Sequence, residues 1–233
     1  MGSCEVTMKI NFEGNIDTVF GGINILIKQG IIENSENGIP VRVVPLSQSN
    51  CLHVYRKNHL FFIEYGKKVQ FFRALSYVMQ YWDHDNLDIY ETSRFDLNGV
   101  MIDVSQGNAV INLSQYEKLF ARMALMGLDM FMIYMEDNYL VEGEPYFGYL
   151  RGRYTEQDLK TCDDIAFALG IEIIPCIQTL AHLIDALKWD CYKDIKEDDD
   201  TLLVGEEKTY RFIEKLIVTA SKPFRTKRIH LGM

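Results

Sequence analysis

The sequence predicts an α/β protein of 233 residues, in which a small α+β domain precedes the first half of a (β/α)8 TIM barrel, truncated after its fourth strand. Two observations support this fold class. Four apolar segments end in polar residues and are separated by helical sequence, as in a parallel sheet; they span 99–104, 129–135, 171–176 and 228–233. The residues before them follow a different order of strands and helices. We therefore expect domains at 1–93 and 94–233.

The first domain is predicted from alternating strand patterns and two amphipathic helices. Alternation at 6–12 indicates a strand, and helical spacing over 18–32 indicates a helix capped by Asn15 or Asp17. The remaining elements are expected to be a strand at 40–45, two strands within 52–65 around Lys57-Asn58, a helix at 67–82 and a strand at 87–92. This β-α-β-β-α-β order predicts a small open sheet with both helices on one face.

The second domain repeats strand-helix units. Helices are expected at 113–126, 155–170, 182–189 and 205–221. Gly127 and Gly170 end two of them, and Thr155 with Asp158 comes close to a capping box. Four such units make half of an eight-fold barrel. A free-standing doubly wound sheet is the alternative, although residues 105–108 lack the G-x-G-x-x-G spacing of a dinucleotide site.

Composition and charge argue against several classes of protein. No apolar run approaches the roughly 18 residues of a spanning helix, and no secretory signal is recognisable. The net charge of −9 argues against a nucleic-acid partner. Five scattered cysteines encode neither a disulfide framework nor a zinc site, so we expect reduced thiols, no metal and no cofactor. These features together predict a cytoplasmic protein with no membrane partner.

Polar residues after three of the predicted barrel strands are the candidates for chemistry, because the carboxyl ends of parallel strands share one edge. Asp103 ends the first strand and could serve a reaction or cap the following turn. His182 follows the third strand. Considered by itself, it is predicted to begin a short helix. If it lies beside Asp103, its imidazole could instead orient a third catalytic group. Glu136 and Asp137 follow the second strand and could bind sugar hydroxyls or simply begin a polar loop.

The long loop after the second predicted barrel strand combines aromatic and basic side chains, namely Tyr146, Phe147, Tyr149, Arg151, Arg153 and Tyr154. Aromatic rings next to carboxylates suit a carbohydrate, whose C–H faces stack while its hydroxyls form hydrogen bonds. A packed lid is the alternative interpretation of the same residues.

Several segments carry a family resemblance: 99–105 in the first strand, 134–139 and 145–154 after the second, 175–182 at the third, and 230–233. Together they resemble family 20 glycoside hydrolases, the β-N-acetylhexosaminidases, over residues 94–233. The resemblance implies a metal-independent, retaining exo-enzyme that removes terminal β-linked N-acetylglucosamine or N-acetylgalactosamine. The implied partner is a glycan or glycoside that ends in an N-acetylhexosamine.

The resemblance also implies roles for single residues. In the family, the acetamido oxygen of the substrate attacks the anomeric carbon, an Asp orients that acetamide, and the neighbouring Glu protonates the leaving oxygen. Asp103 and His182 match the hydrogen-bonded relay to this Glu. The Asp-Glu pair is expected after Met233. The 233-residue chain is therefore expected to be inactive and, with uncovered strand edges, to self-associate.

Two departures from the family concern sugar recognition. Asn98 stands where the family has an Arg that grips the sugar hydroxyls, and Ala181 stands where it has a Gly. We therefore expect Asn98, Glu136 and Asp137 to share the binding of hydroxyl groups.

Two other kinds of protein remain open at this point. One is a non-catalytic carbohydrate-binding or scaffold protein on a degraded TIM barrel, which would bind sugar without hydrolysing it. The other is an unrelated barrel hydrolase that holds a metal on Asp103, Glu136 and His182, which a chelator would inactivate.

Overall fold

The computed structural model describes residues 7–47, 50–105 and 110–232, and these residues form two compact units. The first unit is drawn from Met1–Asn98, Glu117–Asp129 and Ile165–Ile171. The second is drawn from Gly99–Tyr116, Met130–Asp164 and Glu172–Met233. Within the described ranges, no helix is both long enough and apolar enough to cross a membrane.

The first unit contains a six-stranded mixed sheet and two full helices. Its elements are β1 (Met8–Gly14), α1 (Phe20–Lys28), β2 (Ile32–Asn34), β3 (Ile39–Pro45), β4 (Cys51–Lys57), β5 (Leu60–Tyr65), α2 (Lys68–Gln80) and β6 (Asp88–Thr92). The strand order is β2-β1-β3-β5-β4-β6. The pairs that involve β4 are antiparallel and the other pairs are parallel.

One face of this sheet carries the core of the first unit. Alternate residues such as Ile10, Val41 and Ile63 are fully buried, as expected for strands with one covered face. Phe12 of β1 lies against Phe71 of α2, with ring centroids 6.2 Å apart. Gly22 of α1 packs against Phe72 of α2, so both helices cover the same face.

The sequence patterns located most of these elements but missed one. The hairpin is found around Asn58 and His59, which both have positive φ, as a tight two-residue turn requires. The first helix is shorter than expected, because α1 ends at Lys28 and β2 follows it. Asn15 does not cap α1; its side chain accepts a hydrogen bond from the N–H of Asp17 (3.1 Å) in the preceding turn.

The second unit contains four parallel strands joined by helices. Its elements are β7 (Gly99–Asp103), α3 (Leu113–Leu125), β8 (Met130–Met135), α4 (Glu156–Ala168), β9 (Glu172–Gln178), α5 (Ile184–Leu187), a 3-10 turn (Asp190–Tyr192), α6 (Glu207–Ser221) and β10 (His230–Gly232). Helices α3 and α4 also contribute residues to the first unit. The strand order β10-β9-β8-β7 follows the chain. This sequential parallel order confirms the predicted βα units of a partial barrel.

The two faces of this parallel sheet differ in burial. Phe131, Ile133 and Met135 of β8 are fully buried on one face, where the ring of Tyr116 from α3 lies 5.8 Å from that of Phe131. Strand alternation directs Met132 and Tyr134 to the opposite face. The sheet therefore buries one apolar side against the helices and leaves the other side, with Met132 and Tyr134, only partly buried.

Candidate functional site

Polar side chains of the second unit gather in register at the carboxyl ends of its strands. Tyr134 of β8 pairs with Asp103 of β7 on one side and with Cys176 of β9 on the other. His230 of β10 pairs in turn with Cys176. Registered residues of parallel strands project to the same face, so these four side chains form one row.

A hydrogen-bonded group lies at this row and just beyond it. The Nε2 of Gln178 donates to the hydroxyl of Tyr134, and that hydroxyl donates to Oε1 of Glu136 at 3.3 Å. Burial raises the pKa of Tyr134, so the phenol remains a neutral donor near pH 7. Glu136 is only 3% exposed. The three side chains thus place one carboxylate at the end of the central strand.

Gly232 of β10 makes room for this group. A Cβ at Gly232 would overlap Oε1 of Gln178. The carbonyl of Gly232 also accepts hydrogen bonds from the hydroxyl (2.9 Å) and N–H (3.2 Å) of Thr179. The absence of a side chain at 232 therefore leaves room for the Gln178 side chain of β9, which binds Tyr134 of β8.

Asp103 is an exposed residue at the end of β7. Its Oδ1 accepts hydrogen bonds from the N–H (2.7 Å) and the hydroxyl (2.6 Å) of Ser105. This is the geometry of a carboxylate that caps the turn after a strand, which was one of the two roles considered for Asp103. The second carboxylate oxygen is not engaged by any described residue.

His182 lies four residues beyond β9, on the surface. Its side chain is 60% exposed, and Nδ1 is 3.8 Å from Oδ2 of Asp200. No hydrogen bond or ion pair joins His182 to Asp103 among the described residues, because β8 separates their strands and neighbouring strands lie about 4.8 Å apart. The relay inferred from the family resemblance stays a prediction.

Asp137 is held in an ion pair rather than left open to a ligand. It is 1% exposed, and its Oδ1 lies 3.0 Å from Nε of Arg151. The same guanidinium contacts Asp185 of α5 and donates to Oδ1 of Asn138 at 3.2 Å. Burial raises the pKa of Asp137, and the positive charge of Arg151 opposes that rise. Arg151 therefore ties the loops after β8 and β9 together.

Asn98 occupies the other end of β7. It immediately precedes Gly99, and its N–H donates to Oδ1 of Asp129 at 2.6 Å. Asn98 and Asp103 are therefore separated by the length of the strand. A contact between Asn98 and a sugar stays a prediction.

The residues proposed for metal binding are not assembled as a ligand set. Within 7–47, 50–105 and 110–232, no three His, Cys, Asp or Glu side chains are grouped so that they could hold a metal ion. Over the same ranges Cys51, Cys162, Cys176 and Cys191 form no disulfide, and Cys4 lies outside the described residues.

Two members of the site were not found from the sequence. Tyr134 and Gln178 lie inside apolar strands, where an aromatic ring or an amide is usually read as part of the core. The signal that identifies them is alternation, because Tyr134 precedes Glu136 by two residues and so shares its face.

Solved structures that match this chain include several glycosidases. A product complex of a Streptomyces plicatus β-hexosaminidase mutant matches with a TM-score of 0.78 at 15% identity, over 97% of this chain and 55% of that chain. A family 20 exo-β-N-acetylglucosaminidase mutant from Vibrio harveyi matches with a TM-score of 0.75 at 17% identity, over 97% and 43%. A Flavobacterium johnsoniae chitobiase matches with a TM-score of 0.75 at 19% identity, over 97% and 41%.

This chain has the fold of the family 20 glycoside hydrolases. It spans about half the length of the enzymes that it matches (41–55%). Neither a protein-family model nor a curated protein sequence matches it. The family 20 fold has a TIM barrel, and the four parallel strands of the second unit correspond to part of that barrel.

Proposed function

We propose that this chain is part of a retaining exo-β-N-acetylhexosaminidase that removes terminal β-linked N-acetylglucosamine or N-acetylgalactosamine. The observation that carries the proposal is the family 20 fold, with polar side chains in register at the carboxyl ends of β7 to β10. The segments 99–105, 134–139, 145–154 and 175–182, which resemble that family, run up to this edge or follow it. One of the matching structures contains N-acetylglucosamine as a product.

The proposed mechanism is substrate-assisted. The acetamido oxygen attacks the anomeric carbon while the bond to the leaving oxygen breaks, and a Glu protonates that oxygen. We place this Glu and an acetamide-orienting Asp beyond Met233 in a longer chain. Asp103 and His182 would support the Glu, Glu136 would contribute to sugar binding, and Asp137 would act indirectly by holding Arg151 in place.

Tyr134 and Gln178 extend this proposal. A neutral phenol bound between an amide and a carboxylate fixes the orientation of Glu136 at the mouth of the sheet. A carboxylate whose orientation is already fixed needs little reorganisation to accept a sugar hydroxyl that reaches it, which lowers the cost of binding.

The test compares the 233-residue chain with a chain extended past the Asp-Glu pair, using a chromogenic aryl β-N-acetylglucosaminide. We expect no release of the aryl alcohol by the shorter chain and robust release by the extended one, because the proton donor is supplied only by the latter. In the extended chain, Asp103→Asn should lower kcat by about 10²-fold, as expected for a group that assists proton transfer. Turnover by the shorter chain would overturn the assignment of the acid.

A non-catalytic carbohydrate-binding protein is the second candidate. It is favoured by the separation of Asp103, which caps its own turn, from His182, which faces Asp200. An extended chain that binds N-acetylglucosamine without releasing the aryl alcohol would establish this candidate instead.

A further inference from the structure

Strand β6 forms one edge of the six-stranded sheet in the first unit, and within the described residues it pairs only with β4. The carbonyl of Leu87 and the N–H of Ser93, at its two ends, are hydrogen-bonded to residues of β4 or next to it (2.9 Å and 3.1 Å). Because bonded residues alternate along an antiparallel pair, every second residue between them turns its backbone N–H and C=O groups away from β4. These outward residues, which we call the β6 edge, are Asp88, Tyr90 and Thr92.

The two edges of this sheet differ in how well they are protected against pairing. The opposite edge strand, β2, has only three residues, whereas β6 has five and contains neither lysine nor proline. Natural edge strands are usually protected by short length, by lysine or proline, or by a bulge. The Tyr90 side chain in the middle of β6 is 65% exposed. The β6 edge is therefore a template on which a further extended strand can pair.

The two carboxylates of β6 are already bonded within the chain. Oδ1 of Asp88 lies 2.8 Å from Nε2 of His53. On the other face of the strand, the carboxylate of Glu91 accepts a hydrogen bond from the hydroxyl of Tyr77 and lies 3.5 Å from Nε of Arg73. Like charges that meet across two strands oppose pairing. Because these carboxylates have partners in their own copy, they oppose the approach of an identical strand less than free carboxylates would.

We propose that the β6 edge pairs with the β6 edge of a second copy of this chain, antiparallel and centred on Tyr90. In this register every outward residue meets an outward residue of the other copy, with Tyr90 opposite Tyr90 and Asp88 opposite Thr92. Centring on Glu91 would instead place two carboxylates opposite each other and carry the pairing past the end of the strand. The proposal concerns the first unit and does not rest on the proposed function.

The register centred on Tyr90 also brings opposite charges together. Arg94 is exposed, follows β6 by two residues and pairs with no carboxylate among the described residues. Across the pairing it lies diagonal to Asp88 of the second copy, a position that a long side chain reaches. Two-fold symmetry repeats this contact, and the exposed rings of Tyr90 from the two copies cover each other at the axis.

The dimer is expected to be weak. A contact made by one strand from each copy is smaller than the roughly 1,200 Å² that a stable interface buries. We therefore expect the copies to associate at concentrations of about 10–100 μM and to exchange readily. Disulfide trapping suits such a dimer, because it captures a transient pair and also reports its register.

The trapping experiment uses the 233-residue chain with three substitutions that remove other reactive thiols, Cys4→Ser, Cys51→Ser and Cys191→Ser. The remaining thiols, Cys162 and Cys176, are buried. Single cysteines are then introduced on β6, and the intermolecular disulfide is followed in a glutathione redox buffer by non-reducing electrophoresis.

Tyr90→Cys should crosslink two copies, because residues opposite each other in a hydrogen-bonded pair have Cα atoms about 5.5 Å apart, within the range of a disulfide. Thr92→Cys is the matched control. Its two copies are offset by four residues along the strands, roughly 13 Å, so it should crosslink at least about tenfold more slowly. An equimolar mixture of Asp88→Cys and Thr92→Cys chains should crosslink to each other, because these positions are opposite.

A charge substitution tests the contact with Arg94. Arg94→Glu, made in the Tyr90→Cys chain, should slow crosslinking about fivefold, because it replaces two attractive contacts by repulsive ones. Lys118→Glu makes the same change in net charge at an exposed residue of α3 and should leave the rate unchanged. Circular dichroism checks that every variant is folded.

Three results would overturn the proposal. The first is no intermolecular disulfide from Tyr90→Cys at roughly 100 μM. The second is an equal rate for Tyr90→Cys and Thr92→Cys, which would indicate random collision. The third is faster crosslinking of the Tyr90→Cys chain to a Met101→Cys chain than to itself, which would assign the β6 edge to strand β7 of another copy. Association elsewhere on the chain does not produce the expected pattern, because that pattern requires Tyr90 to lie on the two-fold axis.

Discussion

At the scale of single residues, Arg151 has the largest energetic role in the candidate site. It is the cation beside a carboxylate that is 1% exposed, and a buried charge without a partner is costly. We predict that Arg151→Met lowers the free energy of unfolding by about 3 kcal/mol, measured by urea denaturation. Adding Asp137→Asn to Arg151→Met should recover part of this loss, because it removes the unpaired charge.

The neighbouring Arg153 offers a matched control. It donates to the carbonyls of Pro145 (3.4 Å) and Phe147 (2.9 Å) and pairs with no carboxylate among the described residues. Arg153→Met should therefore cost only about 1 kcal/mol. If both substitutions cost the same, the ion pair with Asp137 is not what stabilises the loop.

The environment of Glu117 in the first unit predicts that the free energy of unfolding depends on pH. Burial acts to raise the pKa of Glu117, but hydrogen bonds from Lys28 (2.7 Å) and Gln29 (2.8 Å) outweigh it and hold the pKa below its ordinary value of 4.5. A carboxyl whose pKa is lowered by folding stabilises the fold above the unfolded pKa, and this stability is lost as the pH falls through the folded pKa.

We predict that Glu117→Gln lowers the free energy of unfolding by about 1 kcal/mol at pH 7, a modest value because Lys28 is exposed. The difference from the parent chain should shrink below about pH 4.5. Urea denaturation from pH 3 to pH 7 measures this. Glu33→Gln is the control, since its partner Lys9 lies 3.5 Å away with both side chains in solvent, and it should change stability by less than about 0.5 kcal/mol at every pH.

At the scale of elements, two adjacent glycines in α1 differ sharply in what surrounds them. A Cβ on Gly22 would overlap the ring of Phe72 and lie 2.8 Å from the carbonyl of Ala168, whereas a Cβ on Gly21 would make an ordinary 3.4 Å contact with Ala168. We predict that Gly22→Ala destabilises the fold by about 1–3 kcal/mol, because neither neighbour can move freely.

Gly21→Ala should instead stabilise the fold by about 0.5 kcal/mol, because alanine favours the helix and has room. Thermal unfolding of the two variants side by side measures the difference. Equal effects would show that α1 does not pack closely on α2 at this point.

The elements themselves were largely predictable from the sequence, and the reasons differ between the units. In the second unit each strand is a short apolar run bounded by helical sequence, so local pattern and tertiary environment agree. In the first unit, helical spacing continued past Lys28, and the pattern alone did not reveal that β2 begins at Ile32. Gly30 has φ +70°, which ends the helix and marks the boundary that the pattern missed.

The candidate site was only partly predictable. Carboxylates that follow apolar strands, such as Asp103 and Glu136, stand out in a sequence because they break the pattern. The partners that define their chemistry do not, since Arg151 meets Asp137 within the loop after β8 but meets Asp185 in α5, 34 residues further along the chain. Likewise, the exposure of His182 depends on the path of the chain after β9, which periodicity does not describe.

At the scale of the whole molecule, the parallel sheet presents unpaired strand edges. Within the described residues, β7 and β10 each pair with one strand only, and Met101 and Leu231 on these strands are exposed apolar side chains. Such edges and apolar surfaces promote association. We predict that the 233-residue chain forms oligomers whose average mass rises with concentration, as measured by light scattering after gel filtration.

Replacing Met101 and Leu231 together by Glu should shift this chain toward the monomer, because charges on edge strands oppose pairing. Val218→Glu adds a charge at an exposed apolar residue of α6 and should leave the association unchanged. A sharp monomer peak for the parent chain at high concentration would contradict the prediction.

The order of strands in the parallel sheet matches the order in which a ribosome makes them. β8, β9 and β10 are each hydrogen-bonded to the strand synthesised just before, so every βα unit after the first meets a template that has already emerged. Because each strand pairs with its predecessor, only the segment between two successive strands has to form a loop. Shorter loops close faster than longer ones. During translation the sheet can therefore assemble from β7 toward β10 without waiting for residues still inside the exit tunnel.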